Sequence, residues 1–212
     1  MIGIIDYGMG NLGSVRNACR FLGIPAEILA SPARARDCRA LILPGVGAFG
    51  DGIAHLRERG WAGTLEAWVA DGRPLLGICL GLQLLFEESE ESPGARGLGW
   101  IQGRVRRFPA APGLKVPHMG WNRVHQTRPD PVWEGAPDGS HFYFVHSYFA
   151  EPADPSVVAG RTNYGVEFCS VVRWRSVFAV QFHPEKSQRV GLRLLGNFAR
   201  QGGMAVEGEA VQ

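Results

Sequence analysis

A chain of 212 residues is long enough for one large domain with a sizeable core. Its apolar fraction of 45% and charged fraction of 20% are those of a soluble globular protein, and a net charge of +2 points to neither nucleic acid nor membrane as partner. No apolar stretch approaches the roughly 20 residues of a membrane span. The first half alternates strand and helix signals. Met1 to Asp6 lacks the basic region and cleavage site of a leader; Ile2 to Asp6 reads as a first strand running into a Gly-rich turn. Ser14 to Leu22 has helical spacing in Val15, Ala18, Cys19 and Leu22, and Gly23 and Pro25 end it. Ala26 to Leu29 and Ala40 to Leu43 are strand candidates, the second stopped by Pro44-Gly45. Helices are expected over Ile53 to Arg59 and Ala62 to Ala70. A fourth strand, Pro74 to Ile78, precedes a helix expected over Leu80 to Glu88. Such alternation argues for a mostly parallel sheet with helices on both faces.

The second half changes character. Short runs rich in Val, Phe, Tyr and Trp are broken by Pro and Gly: Gly103 to Phe108, Val116 to Val124, His141 to Ser147, Val157 to Thr162, Val166 to Trp174 and Val177 to Gln181. They read as an antiparallel, β-rich extension of the same sheet. A last helix is expected from about Gln188 to Arg200. No repeat or linker divides the chain, so one domain over 1–201 and a flexible tail over 202–212 are expected. The four cysteines, Cys19, Cys38, Cys79 and Cys169, form no CxxC pair. Metal and disulfide use are therefore not expected, and a reducing cytoplasm is the default compartment.

Gly77-Ile78-Cys79-Leu80-Gly81 is the segment that carries chemistry. A Gly-x-Cys-x-Gly pentapeptide between a strand and a helix is the cysteine form of a nucleophile elbow. Small residues are needed two before and two after the nucleophile, because side chains there would meet the strand and the helix. A helix N-terminus behind the sulfur would favour thiolate. A nucleophile needs a base, and the base needs an orienting group. Gln181-Phe182-His183-Pro184-Glu185 offers both: Pro184 biases His183 toward extended backbone, and residues 183 and 185 of an extended segment project to one side. The oxyanion donors expected are the N–H of Leu80 and one from the loop Leu43 to Gly50, whose glycines allow close backbone approach at the end of the third strand. His118, His125, His141 and His146 show no compact metal spacing and are read as structural or hydrogen-bonding.

One motif competes. Gly8-Met9-Gly10-Asn11-Leu12-Gly13 matches G-x-G-x-x-G after a first strand, as a dinucleotide site would. The acidic residue required at the end of the second strand is missing, since that strand ends Leu29-Ala30-Ser31. A related cysteine hydrolase of the same sheet fold would keep the elbow without His-Pro-Glu, and a non-catalytic binding module would take no covalent label.

Gly77 to Gln83 together with His183-Pro184-Glu185 resembles the class I (triad) glutamine amidotransferases. Further blocks resemble one branch of that family: Asp6 to Asn11, Pro44 to Gly50, Val116 to Asn122, Phe142 to Tyr148 and Gln181 to Ser187. The likeness runs from residue 2 to about 200. It implies a flavodoxin-like α/β fold and a glutamine-hydrolysing half-enzyme without a cofactor. Its implied partner is a (β/α)8-barrel cyclase that consumes the ammonia. Carried over by motif, Cys79 is the nucleophile, His183 the base and acid, and Glu185 the orienting carboxylate. Val46, Gly47 and Leu80 supply oxyanion donors. Gln83, Glu91, Ser147 and Tyr148 hold glutamine, and Asn11, Trp121 and Lys186 face the partner. Leu82 stands where the family often has Met, a swap of similar volume.

Overall fold

The computed structural model describes residues 1–110 and 113–206. The first half runs β1 (Ile2–Ile5), α1 (Leu12–Phe21), β2 (Ala26–Leu29), β3 (Ala40–Gly45), α2 (Phe49–Glu58), α3 (Trp61–Ala70), β4 (Leu75–Cys79) and α4 (Leu80–Gln83). Then come β5 (Phe86–Ser89), β6 (Ile101–Arg107), β7 (His118–Gln126), β8 (Ser140–His146), β9 (Tyr148–Pro152), β10 (Val158–Tyr164), β11 (Val166–Trp174), β12 (Val177–Val180) and α5 (Gln188–Gln201).

Five strands in the order β2-β1-β3-β4-β12 are parallel, and β11, β10, β7 and β8 continue the sheet antiparallel. The order of the parallel part is the flavodoxin-like one, whose ligand crevice lies at the carboxyl ends of its strands, where the winding reverses between β1 and β3. Side chains alternate across each parallel strand. Ile2, Ile4, Ile42, Leu76 and Ile78 pack with α1 and α5 on one face. Leu41, Leu43, Leu75, Val177 and Ala179 pack with α2 and α3 on the other. Both faces being covered explains why these strands read as apolar runs.

Four departures from the sequence expectation have physical reasons. The helix expected over Leu80 to Glu88 ends after one turn and gives way to β5. The carbonyls of Leu84 and Leu85 accept instead from Leu98 at 2.8 Å, Trp100 at 2.9 Å and Ile101 at 3.1 Å. Returning chain thus takes the bonds a helix would have made. Pro44 does not stop β3, which continues to Gly45 in register with Cys79. The β1 pairing has already ended at Ile42, so the missing proline N–H disrupts no ladder on that side. The strand β9 was not expected beyond Ser147; it is fixed by pairing with β6, a partner distant in sequence. Finally, the tail does not leave the fold at 202. Met204 is buried, its N–H donates to Ala199 at 3.1 Å, and Arg39 donates to the Gly203 carbonyl at 2.8 Å. Residues 207–212 of the expected tail lie outside the described residues.

Candidate active site

Cys79 ends β4 and caps α4 with φ 55° and ψ −107°. A non-glycine residue held there is strained by about 1–3 kcal/mol and persists only where its surroundings over-determine it. Those surroundings are close backbone contacts. A Cβ on Gly77 would lie 2.9 Å from the Ala179 Cβ and 3.0 Å from the Gly81 carbonyl oxygen, and one on Gly81 would collide with the Leu43 carbonyl oxygen. The flanking glycines are therefore required by contact. Because α4 is a single turn, the dipole expected behind the sulfur shrinks to the local N–H groups of that turn.

His183 follows β12 and caps a 3-10 turn, Pro184–Lys186. Its Nδ1 donates to Glu185 Oε1 at 2.9 Å, and both side chains are almost fully buried. The contact is the expected one, but the backbone is not. Only His183 is extended (φ −102°, ψ 96°), and the turn beginning at Pro184 curls Glu185 back to the ring. Two neighbours pin this turn. The His183 N–H donates to the Tyr143 carbonyl at 2.9 Å. The Ser187 hydroxyl donates to the His183 carbonyl at 2.6 Å and accepts from the Tyr143 N–H at 3.0 Å. With Nδ1 committed to the carboxylate, Nε2 is the acceptor of the neutral ring, and it is buried without a hydrogen-bond partner. Burial alone would lower the imidazolium pKa. The Cys79 sulfur and the Glu185 carboxylate outweigh it and raise the pKa to about 10. Cys79, His183 and Glu185 thus form one interacting group.

Gly45 is the β3 partner of Cys79, so Val46 and Gly47 leave the sheet beside the sulfur. Gly47 has φ 104°, and Val46 is 42% exposed. Leu80 begins α4 next to them and is buried. The carboxylate of Glu91 accepts from the Phe49 N–H at 2.8 Å and so pins the far end of this loop where α2 starts.

A family model described as glutamine amidotransferase class-I matches residues 3–201. The chain belongs to the class-I glutamine amidotransferase family. Two proteins named imidazole glycerol phosphate synthase subunit HisH are each 52% identical to it. One, from Desulfitobacterium hafniense DCB-2, aligns over 200 residues, 94% of this chain and 94% of the relative. The other, from Methanothermobacter thermautotrophicus Delta H, aligns over 198 residues, 93% and 97%. A crystal structure of a glutamine amidotransferase superimposes with a TM-score of 0.74, covering 96% of this chain and 99% of the other; at 24% identity it shows the shared fold.

Around the Cys79 group this amidotransferase carries a polar arrangement that motif reasoning missed. Gln181 is fully buried; its Nε2 approaches the Cys79 sulfur at 3.6 Å and its Oε1 accepts from Gln83 Nε2 at 3.0 Å. Gln83 Nε2 also donates to the Tyr148 carbonyl at 3.0 Å, so Gln83 and Tyr148 meet close to the Cys79 sulfur through Gln181. The Ser147 carbonyl is engaged elsewhere, by the Phe108 N–H at 3.1 Å. His146 Nδ1 donates to the same Tyr148 carbonyl at 2.8 Å. Its Nε2 must then accept, and it does so from His118 Nδ1 at 2.9 Å. His118 Nε2 in turn accepts from Asn122 Nδ2 at 3.2 Å, while Asn122 also donates to the Asn163 carbonyl at 2.9 Å. Every donor in this chain has one acceptor, so each ring has one neutral tautomer. Burial lowers the pKa of His118 to about 4 and that of His146 to about 3, the second with help from the charges of His118 and His183. The signal available in the sequence was weak: two histidines in paired strands, at register partners that only the β7–β8 ladder defines.

The three residues expected at a partner face lie on neighbouring elements around the His183 turn. Asn11 is exposed and caps α1, accepting from the Ser14 N–H at 3.4 Å. Lys186 ends the turn itself, and α1 and β8 both pack on that turn. Trp121 is 46% exposed on β7, its ring 6.1 Å from that of Tyr143. The Gly-rich loop after β1 lies against β3: a Cβ on Gly10 would be 3.5 Å from the Pro44 carbonyl and the Gly45 nitrogen. Among the described residues no group of three or more His, Cys, Asp or Glu is placed to hold a metal, and no helix is long and apolar enough to cross a membrane.

Proposed function

We propose that this chain is the glutamine-hydrolysing subunit of imidazole glycerol phosphate synthase, acting in histidine biosynthesis. The observation that carries it is the strained Cys79, whose sulfur acts electrostatically on a His183 that is itself held by Glu185. With the proton already resting on His183, Cys79 attacks the side-chain carboxamide of glutamine as the thiolate. The oxyanion is met by the N–H of Leu80 and those of Val46 and Gly47, each such donor being worth about 3–4 kcal/mol in the barrier. His183 returns the proton to the departing nitrogen, ammonia leaves, and a γ-glutamyl thioester remains. Water, activated by His183, hydrolyses it to glutamate. Gln83 and the Tyr148 backbone, with Glu91 and Ser147, hold the amino-acid head of glutamine.

The ammonia passes to a (β/α)8-barrel cyclase. There it completes imidazole glycerol phosphate and aminoimidazole carboxamide ribonucleotide (AICAR). Asn11, Trp121 and Lys186 meet that partner, and the exposed Val46 and Met119 add apolar surface to the same part of the molecule. The four cysteines are unpaired and buried, which suits a reducing cytoplasm.

The test is a glutaminase assay with and without the cyclase and its ligand. Cys79→Ser should lower glutamine-dependent synthesis by roughly a thousandfold or more, as removal of a nucleophile does. Synthesis from added ammonium salts should be unchanged. Loss of both activities would make the cysteine a structural residue and the proposal wrong.

A further inference from the structure

Tyr7 sits just past the carboxyl end of β1, in the crevice between β1 and β3. It is 0% exposed, among the largest wholly buried side chains of the molecule, and its hydroxyl has no hydrogen-bond partner. The neighbouring backbone is anchored on both sides. The Asp6 N–H donates to Leu29 at 3.0 Å, the Asp6 carbonyl accepts from Trp61 Nε1 at 3.2 Å, and the Gly8 N–H donates to the Asp6 carboxylate at 2.9 Å. The ring therefore has little freedom to find an acceptor elsewhere.

Where the hydroxyl points is fixed by Gly45. A Cβ on that glycine would collide with Tyr7 Oη on one side and lie 2.8 Å from the Leu80 Cβ on the other. Gly45 is the register partner of Cys79, and Leu80 follows Cys79 in the chain. The phenol oxygen thus stands where the loop carrying Val46 and Gly47 meets the elbow, touching one of the two backbones that supply oxyanion donors and close to the other. Burial first, and then the charge of Cys79, push the Tyr7 pKa above its ordinary range. The hydroxyl keeps its proton and is available to donate.

A buried O–H without an acceptor is unfavourable, and phenylalanine would fill this apolar pocket as well. Packing explains the ring; it does not explain the oxygen. We propose that Tyr7 is a positioning residue of the glutaminase site, its hydroxyl setting the spacing of Gly45 against Leu80 and turning its O–H toward the negative charge that appears at Cys79 during turnover. This rests on the glutaminase function proposed above.

Tyr7→Phe, studied in the complex with the barrel partner, separates this role from a structural one. The kcat for glutamine should fall about tenfold, with KM within twofold of the unaltered complex. Ammonium-dependent synthesis should be unchanged. The thermal midpoint should stay equal or rise, because the lost hydroxyl had no partner. An unchanged kcat would overturn the proposal, as would a fall in kcat matched by a fall in thermal midpoint. If the unaltered complex itself failed to hydrolyse glutamine, the glutaminase function would be at fault instead.

Discussion

The elbow cysteine and the histidine stand on different ground. Cys79 is placed by backbone: a parallel ladder delivers it beside Gly45, and Gly77 and Gly81 admit main chain where any side chain would collide. His183 is placed by side chains and by a bend: Glu185 holds its ring, and Ser187 and Tyr143 hold its backbone. Behind them, the antiparallel half contributes His118, His146 and Asn122, which fix the Tyr148 carbonyl that Gln83 reaches. Backbone placement is insensitive to pH and intolerant of added atoms. Side-chain placement tolerates changes of volume but depends on charge and protonation. Substitutions on the two sides should therefore fail in different ways.

Among substitutions that leave the sulfur in place, the largest effect is expected on the histidine side. Glu185→Gln keeps a hydrogen-bond acceptor for Nδ1 and removes the charge that favours the imidazolium. Glutaminase kcat/KM should fall roughly a hundredfold, the lower end of what general acid–base groups contribute. Thermal stability should change much less than activity. A variant with full activity would show that the carboxylate merely occupies space.

On the elbow side the order should reverse. Gly81→Ala presses a methyl into the Leu43 carbonyl oxygen of β3, which is backbone and cannot swing aside. Stability should drop by about 1–3 kcal/mol, the usual range for overpacking, and activity should fall because the elbow shifts. A denaturation midpoint equal to that of the unaltered chain would mean that the turn has slack, and that Cys79 is not held by contact as described.

The same contrast governs how much the sequence could reveal. The elbow is written in five consecutive residues, and its glycines announce a close approach whatever they approach. Strands β2 and β11 have the bounds their composition implies. The helix after the elbow misled because Leu82, Leu84, Leu85 and Phe86 are all wholly buried. A continuous apolar run satisfies helix and strand alike, and the decision came from residues 98–101 returning to bond the carbonyls. Glu185 was legible as the partner of His183 from proximity in sequence, although through a tight turn and not an extended strand. Gln181 and the His118–His146 pair were not legible in role, because their partners lie 102 and 28 residues away and only the register of the sheet brings them together.

The sharpest probe of the antiparallel half, with the least expected effect on activity, is the pH dependence of stability. His118 and His146 have folded pKa values of about 4 and about 3, below the ordinary 6.5. The unfolded chain therefore binds protons that the folded chain refuses. Stability from this pair is complete above about pH 6.5 and drains away as the pH falls toward the folded values. His118→Gln keeps a donor and an acceptor in the relay but cannot titrate. It loses stacking against Tyr164 at 4.0 Å and Phe144 at 4.8 Å, so at pH 7.5 it should be the less stable chain. Between pH 6.5 and 4 its stability should decline less steeply, by up to about 1.4 kcal/mol per pH unit for the one missing proton. Urea unfolding at pH 7.5, 6, 5 and 4.5 should give curves for the two chains that converge toward acid. Curves that remained parallel would mean that His118 carries its proton in the folded state. The chain of single-tautomer hydrogen bonds from Asn122 to Tyr148 would then break below about pH 6.5, since a protonated His118 has no lone pair left to accept from Asn122.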